Sequence, residues 1–186
     1  MKNVGILTHW DIPNYGAFLQ AYALQQVLQN MTPDDCNVVQ IAYANPVHTK
    51  NYYSFELHEL FRYWAINRRF YRDVYRRLRN RQDIMMRRKF LEYYDSMIPH
   101  SQVFRGKELE DFHFDEVVLG SDILWDYSIR VFGNDKYVFG NDLNADRMTS
   151  YAASFGTVKY TTGGGVKLLI MLCTVFAALM LYQSEI

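Results

Sequence analysis

Two short apolar runs and one helical pattern alternate in the first 43 residues, and this alternation most constrains the fold. Residues 4–8 are apolar enough for a buried strand, and residues 37–43 form a second such run. Between them, apolar residues recur at three- and four-residue spacing over 17–31, which predicts a helix. Pro33 ends it, because proline cannot continue a helix. This order predicts a parallel β-α-β unit.

The rest of the chain extends this pattern. Residues 114–120 and 147–155 predict a third and a fourth strand. Residues 56–95 contain no proline or glycine and carry an apolar stripe, which predicts a long helical insertion, in one piece or broken near Asn80. The fold class expected is therefore α/β, with a Rossmann-like open parallel sheet.

The net charge of zero conceals two opposed parts. Residues 62–89 hold eleven basic and two acidic residues, a charge of +9, so the remainder carries −9. Such an Arg-rich helix is typical of a solvated face that pairs with acidic residues, or of a surface that binds anionic lipid or RNA. Beside a membrane anchor, lipid is the more natural target, and we expect no nucleic acid. A non-catalytic, membrane-associated fragment that binds partners through this helix is one functional hypothesis.

The amino-acid composition excludes several classes of protein. The chain is 49% hydrophobic and 16% aromatic, which excludes a disordered protein. Cys36 and Cys173 are its two cysteines, too few for a disulfide framework or a zinc site, and this favours a reducing compartment.

An uncharged apolar segment follows the triple glycine at 163–165. Residues 168–182 are shorter than the roughly 17–25 residues that span a bilayer, although Lys167 can reach the headgroups and lengthen the segment. We predict a globular part over 1–160, a Gly-rich linker over 161–167 and a single-pass membrane helix over 168–182. The positive-inside bias places the globular part on the cytoplasmic face. A buried core helix is the alternative.

Two loops follow predicted strands at the edge where open parallel sheets bind ligands. In the first, Asn14 can cap the helix, or backbone N–H groups over 16–18 can bind a phosphate or carboxylate. His9 lies in the same loop, and a lone histidine is more often structural. In the second, Ser121 and Asp122 offer a hydroxyl and a carboxylate, and Trp125 either stacks on a sugar or base or belongs to the core. Neither a dinucleotide fingerprint nor a Ser-His pairing is evident.

Three blocks resemble the polysaccharide pyruvyl transferase family. They are NYGAFLQAYAL at 14–24, GSDILW at 120–125 and SYAASFG at 150–156, in the family's order. The resemblance implies the N-terminal half of a GT-B-like fold. It also implies phosphoenolpyruvate-dependent pyruvylation of a sugar in surface polysaccharide synthesis. Phosphoenolpyruvate is then the donor substrate, a nucleotide- or lipid-linked sugar is the acceptor, and no cofactor or metal is expected.

The resemblance implies that individual residues of this chain bind substrate, but it assigns no catalytic residue. The positions are Asn14, Tyr15, Gly16, Gln20, Gly120, Ser121, Asp122, Trp125, Tyr151, Ser154 and Gly156. Ile123 and Asp126 depart from the family's usual Gln and Asn. The blocks contain no arginine or lysine, and Arg147 lies just before the third, whereas enol-ether chemistry on phosphoenolpyruvate needs a cationic clamp.

The match stops at residue 156, so the resemblance implies a truncated N-terminal half, and a partner chain is one possible source of the missing part. If the apolar tail is instead the product of another reading frame, we expect a cytoplasmic protein.

Overall fold

The computed structural model describes residues 1–9, 12–47, 70–126 and 135–156, with the backbone alone over 70–83. Its helices and strands follow one another along the chain in an α/β order. They are β1 (Lys2–Leu7), α1 (Tyr15–Met31), β2 (Cys36–Gln40), α2 (Phe70–Met97), α3 (Lys107–Asp111), β3 (His113–Leu119) and β4 (Asn144–Ser150), with a 3-10 turn at Tyr137–Phe139.

The four strands form one parallel sheet in the order β2-β1-β3-β4. Val4 of β1 lies opposite Val38 of β2 on one side and Glu116 of β3 on the other. Val118 of β3 lies opposite Thr149 of β4. The predicted α/β class and its parallel sheet are thereby confirmed.

Side chains of successive strand residues face opposite sides of the sheet, and each side has its own core. On one side, Val4, Val38 and Val118 pack with Leu24 of α1. On the other, strand residues pack with α3, the 3-10 turn and the loops around them. That second core contains Leu7, Ile41, Phe104, Leu109, Phe114, Val117, Leu119, Leu124, Trp125, Tyr137, Val138 and Phe139.

Helix α2 packs on α1 through aromatic rings. The rings of Tyr94 and Phe18 stack with their centroids 3.8 Å apart. The buried Gln25 of α1 ties these helices to the sheet, since its Nε2 donates to the backbone oxygens of Val38 at 2.9 Å and Pro99 at 2.8 Å. These contacts fix α1 above β1 and β2.

Two elements differ from the sequence-based expectation. Helix α2 continues through Asn80, where no glycine or proline interrupts its backbone hydrogen bonds. Strand β4 ends at Ser150 rather than at 155. The chain turns there, because Ala152 adopts a φ of +48° and only Ala153 makes a further bridge, to Asp122.

Several predictions lie outside the described residues. They concern 48–69 and the side chains over 70–83 of the basic region, the linker over 161–167 and the apolar segment over 168–182. Among the helices that are described, none is both long and apolar enough to cross a membrane.

Candidate functional site

Strands β1, β3 and β4 end side by side, and this carboxyl edge brings the three loops together. Gly120 N donates to Leu7 O at 3.0 Å, and Tyr151 N donates to Leu119 O at 2.9 Å. The loops that follow β1, β3 and β4 therefore start at the same level of the sheet and lie next to one another. The second and third sequence blocks follow β3 and β4 at this edge, while the first forms the start of α1.

Three polar side chains meet at this edge, and we call Thr8, Gln20 and Ser121 the polar junction. Gln20 Nε2 donates to Thr8 Oγ1 at 3.1 Å, and Thr8 Oγ1 donates to Ser121 O at 2.9 Å. Ser121 Oγ donates to Gln20 Oε1. The junction offers neutral hydrogen-bond donors and acceptors, the groups that suit a ligand's hydroxyls or amides.

Asn14 caps α1 and thereby uses the amides at the helix start. Its Oδ1 accepts from Gly16 N at 2.8 Å and from Ala17 N at 3.4 Å, and its backbone oxygen accepts from Phe18 N at 3.0 Å. The N–H groups expected to bind a phosphate or carboxylate are thus already bonded within the protein. The capping role, which the sequence left open, is the one observed.

Tyr15 contacts helix α2. Its side chain is 74% exposed, and its ring meets Phe90 of α2 edge-on with centroids 4.8 Å apart. Of the first block, only Gln20 reaches the polar junction.

The third block holds the second in place through its backbone. Ser154 N donates to Asp122 O at 2.9 Å, and Ser154 O accepts from Trp125 N at 3.1 Å. Ser154 Oγ accepts from Gly156 N at 3.0 Å. The side chain of Asp122 accepts from Ile123 N at 2.7 Å. Asp122 and Ser154 therefore shape the loops.

Trp125 belongs to the core, one of the two alternatives for this residue. It is 8% exposed, and its Nε1 donates to Val138 O at 2.8 Å. Its ring stacks on Phe139 with centroids 6.4 Å apart. His9 is also buried, at 8% exposure.

A groove of about 700 Å³ runs from the polar junction between α1 and the β3–β4 side of the sheet. Gln20, Ser121 and Tyr151 line its polar end, where the Tyr151 side chain is 60% exposed. The remainder we call its apolar body. It is lined along α1 by Ala23, Leu24, Val27, Leu28 and Met31 and on the sheet side by Val118 and Ala152, with Glu116, Thr149 and Ser150 as its polar residues.

The charges near the groove are few. Arg147 Nε lies 3.8 Å from Glu116 Oε1, three residues before the end of β4. No lysine or arginine lines the groove within the described residues. In the same part of the chain, no group of three His, Cys, Asp or Glu residues is placed to hold a metal ion.

The structure thus brings together Gln20, Ser121 and Tyr151 from three separate blocks. Thr8 joins them although it is not a sequence-based candidate. Its signal was a hydroxyl residue at the carboxyl end of the predicted strand over 4–8. Comparison of the chain with models of protein families, with curated proteins and with solved structures finds no match.

Proposed function

We propose that this chain forms the acceptor-binding part of a glycan-modifying transferase of the polysaccharide pyruvyl transferase type. The observation that carries the proposal is the contact between Gln20 and Ser121, which are 101 residues apart in sequence. Two blocks that resemble the family's blocks meet there, and Tyr151 of the third lines the same groove. This convergence supports one ligand site built from all three blocks, at the edge where open parallel sheets bind ligands.

The chemistry of the polar end favours the sugar over the donor. Phosphoenolpyruvate carries a phosphate and a carboxylate, and both require cationic partners. The polar end instead offers the Gln20 amide, the Ser121 hydroxyl and the exposed side chain of Tyr151, which suit a hydroxylated ligand. In this proposal, the cations that bind phosphoenolpyruvate come from a further domain or a partner chain, which closes over the carboxyl edge as in a GT-B-like fold.

Backbone NMR of the ¹⁵N-labelled full chain tests the proposal. We would titrate it with methyl glycosides of galactose, mannose, glucose and N-acetylglucosamine, and separately with phosphoenolpyruvate. At least one glycoside is expected to shift the amides of Thr8, Gln20, Ser121 and Tyr151. Phosphoenolpyruvate alone is expected to leave them unchanged.

Two glutamine variants of α1 provide the matched control. Gln20→Ala is expected to abolish the glycoside shifts, because it removes the amide from the polar junction. Gln26→Ala is expected to keep them, because Gln26 is exposed and does not line the groove. If no glycoside moves these amides, or if phosphoenolpyruvate alone moves them as a sugar does, the proposal is wrong.

A further inference from the structure

The apolar body of the groove continues directly from its polar end, so one elongated site has an apolar part and a hydrogen-bonding part. Val27, 52% exposed, and Met31, 76% exposed, leave apolar side chains in contact with water along α1. Gln20 and Ser121 supply an amide and a hydroxyl at the other end. A volume of about 700 Å³ with a mainly apolar lining and a few polar groups is typical of a small-molecule site.

We propose that the groove binds a single-chain amphiphile with an uncharged, hydroxylated head group. The alkyl chain lies in the apolar body along α1, and the head group binds at the polar end. The inference is independent of the transferase proposal, which leaves the apolar body unused.

The sheet side of the groove favours a single alkyl chain over a protein helix. Of the strand residues that line it, Val118 is apolar, whereas Glu116, Thr149 and Ser150 are polar. The Glu116 side chain is 31% exposed, and its Oε1 accepts from Thr149 Oγ1 at 3.3 Å. A helix is about 10–12 Å across with its side chains, so it would cover these polar groups and remove the Glu116 carboxylate from water. A narrow chain packs along α1 and leaves them hydrated.

The length of the apolar body determines the length of the chain that it holds. It extends along α1 from Ala23 to Met31, about 12 Å at the helical rise per residue. An extended alkyl chain advances about 1.3 Å per carbon, because its carbon–carbon bonds of about 1.5 Å form a staggered zigzag. A chain of about nine carbons therefore fills the apolar body, and further carbons extend beyond Met31 into solvent.

The charges at the groove determine the head group. Among the described residues, no lysine or arginine lines the groove, whereas Glu116 carries a carboxylate. A phosphate or carboxylate head group would lose hydration without gaining a cationic partner. A sugar or glycerol head group instead exchanges its hydrogen bonds with water for hydrogen bonds with Gln20 and Ser121.

Methyl NMR of the full chain with ¹³C-methyl-labelled methionine tests the proposal without any substitution. The probes are hexyl, octyl, decyl and dodecyl β-glucosides, each kept below the concentration at which it forms micelles. We expect each of them to shift the methyl signal of Met31. The signals of Met85 and Met86 are expected to stay unchanged, because these residues are 54% and 68% exposed on α2 and do not line the groove.

The dependence of the affinity on chain length is the most specific readout. From hexyl to octyl glucoside, we expect the dissociation constant to fall about two- to threefold per added methylene, because each methylene leaves water for an apolar surface that stays partly open. From decyl to dodecyl glucoside it is expected to stay within about twofold, because the added carbons pass beyond Met31. Partition into micelles or bilayers would instead strengthen with every methylene.

A change of head group at similar chain length tests the polar end. Monooctanoylglycerol is expected to bind within about threefold of octyl glucoside, because both head groups are uncharged and hydroxylated. Octanoate is expected to bind at least about tenfold more weakly, because no cation meets its carboxylate. Equal affinity for octanoate would show that the assignment of the head group is wrong.

Two substitutions at exposed apolar residues of α1 provide the matched control. Val27→Asp is expected to weaken the binding of octyl glucoside at least about tenfold, because it places a carboxylate beside the alkyl chain. Leu19→Asp is expected to leave the affinity unchanged, because Leu19 is 60% exposed and does not line the groove.

Several outcomes would overturn the proposal. Equal shifts at Met31 and Met86, or equal losses of affinity in the two variants, would show that the amphiphile binds nonspecifically. An affinity that rises steadily through dodecyl glucoside would show that the groove does not hold the chain. A Met31 shift that grows with protein concentration in the absence of amphiphile would assign the groove to a second copy of the chain.

The same titrations separate this proposal from the transferase proposal. If methyl glucoside binds and octyl glucoside binds no more tightly, the amphiphile proposal is wrong and the sugar site remains. If the octyl compounds bind as expected while no methyl glycoside binds, the transferase proposal is wrong and the amphiphile site remains.

Discussion

Gly120 joins β3 to the loop of the second block in a backbone conformation that side chains rarely adopt. Its φ is +112°, and a Cβ built on it would lie 2.2 Å from Tyr151 O. That oxygen belongs to the backbone of the neighbouring loop and cannot rotate away. The glycine therefore lets the second and third blocks approach each other.

Gly120→Ala is expected to lower the free energy of unfolding by at least about 2 kcal/mol, because it adds both strain and a backbone clash. Gly106→Ala is the control, since Gly106 also has a positive φ, +53°, but its Cβ would meet nothing within 4 Å. Strain alone should cost the control about 1 kcal/mol. Urea unfolding measures both, and equal losses would show that the approach to Tyr151 is unimportant.

The sequence predicted the helices and strands better than it predicted the loops and the site, and α1 shows why. Its apolar spacing and Asn14 are local signals, and the helix starts at Tyr15, directly after the cap. The end of β4 was predicted less well, because residues 151–155 look strand-like locally while tertiary hydrogen bonds hold them as a loop. The same limit applies to the site. The contact of Gln20 with Ser121 depends on the strand order, which no local pattern specifies.

Removing the helix cap tests α1 as an element. Asn14→Ala is expected to lower the free energy of unfolding by about 1 kcal/mol, because the amides of Gly16 and Ala17 lose their side-chain acceptor. Asn14→Asp keeps an acceptor oxygen and should keep most of the stability. Amide hydrogen exchange at Gly16 provides a local readout and should accelerate only in the alanine variant. Exchange that is unchanged in Asn14→Ala would contradict the capping role.

A polar network on the side of the sheet away from α1 ties distant elements together. Lys136 Nζ lies 2.6 Å from Glu110 Oε1 of α3 and also pairs with Asp142 ahead of β4. Tyr43, just after β2, donates to Asp135 Oδ2 at 2.6 Å. The network joins α3 to the segment after β2 and to the segment before β4, which the sheet alone does not connect. The protonation of its groups therefore affects the stability of the whole molecule.

Glu110 makes this network sensitive to acid. Hydrogen bonds from Lys136 and from the Tyr137 hydroxyl lower the pKa of Glu110 below its ordinary value of 4.5. A carboxyl whose folded-state pKa is depressed contributes stability that is present above its unfolded pKa and is lost as the pH falls through the folded value. The contribution of Glu110 is therefore present above about pH 4.5 and declines below it.

Glu110→Gln is expected to weaken the fall of the thermal unfolding midpoint between about pH 4.5 and pH 2, because glutamine does not titrate. At pH 7 the variant should be less stable than the parent chain, since its neutral amide pairs less strongly with Lys136. Glu92→Gln, at an exposed position of α2, should keep the parent's pH dependence. Calorimetry across this range measures all three proteins. If Glu110→Gln and the parent lose stability in parallel as the pH falls, the paired carboxylate of Glu110 does not stabilise the fold.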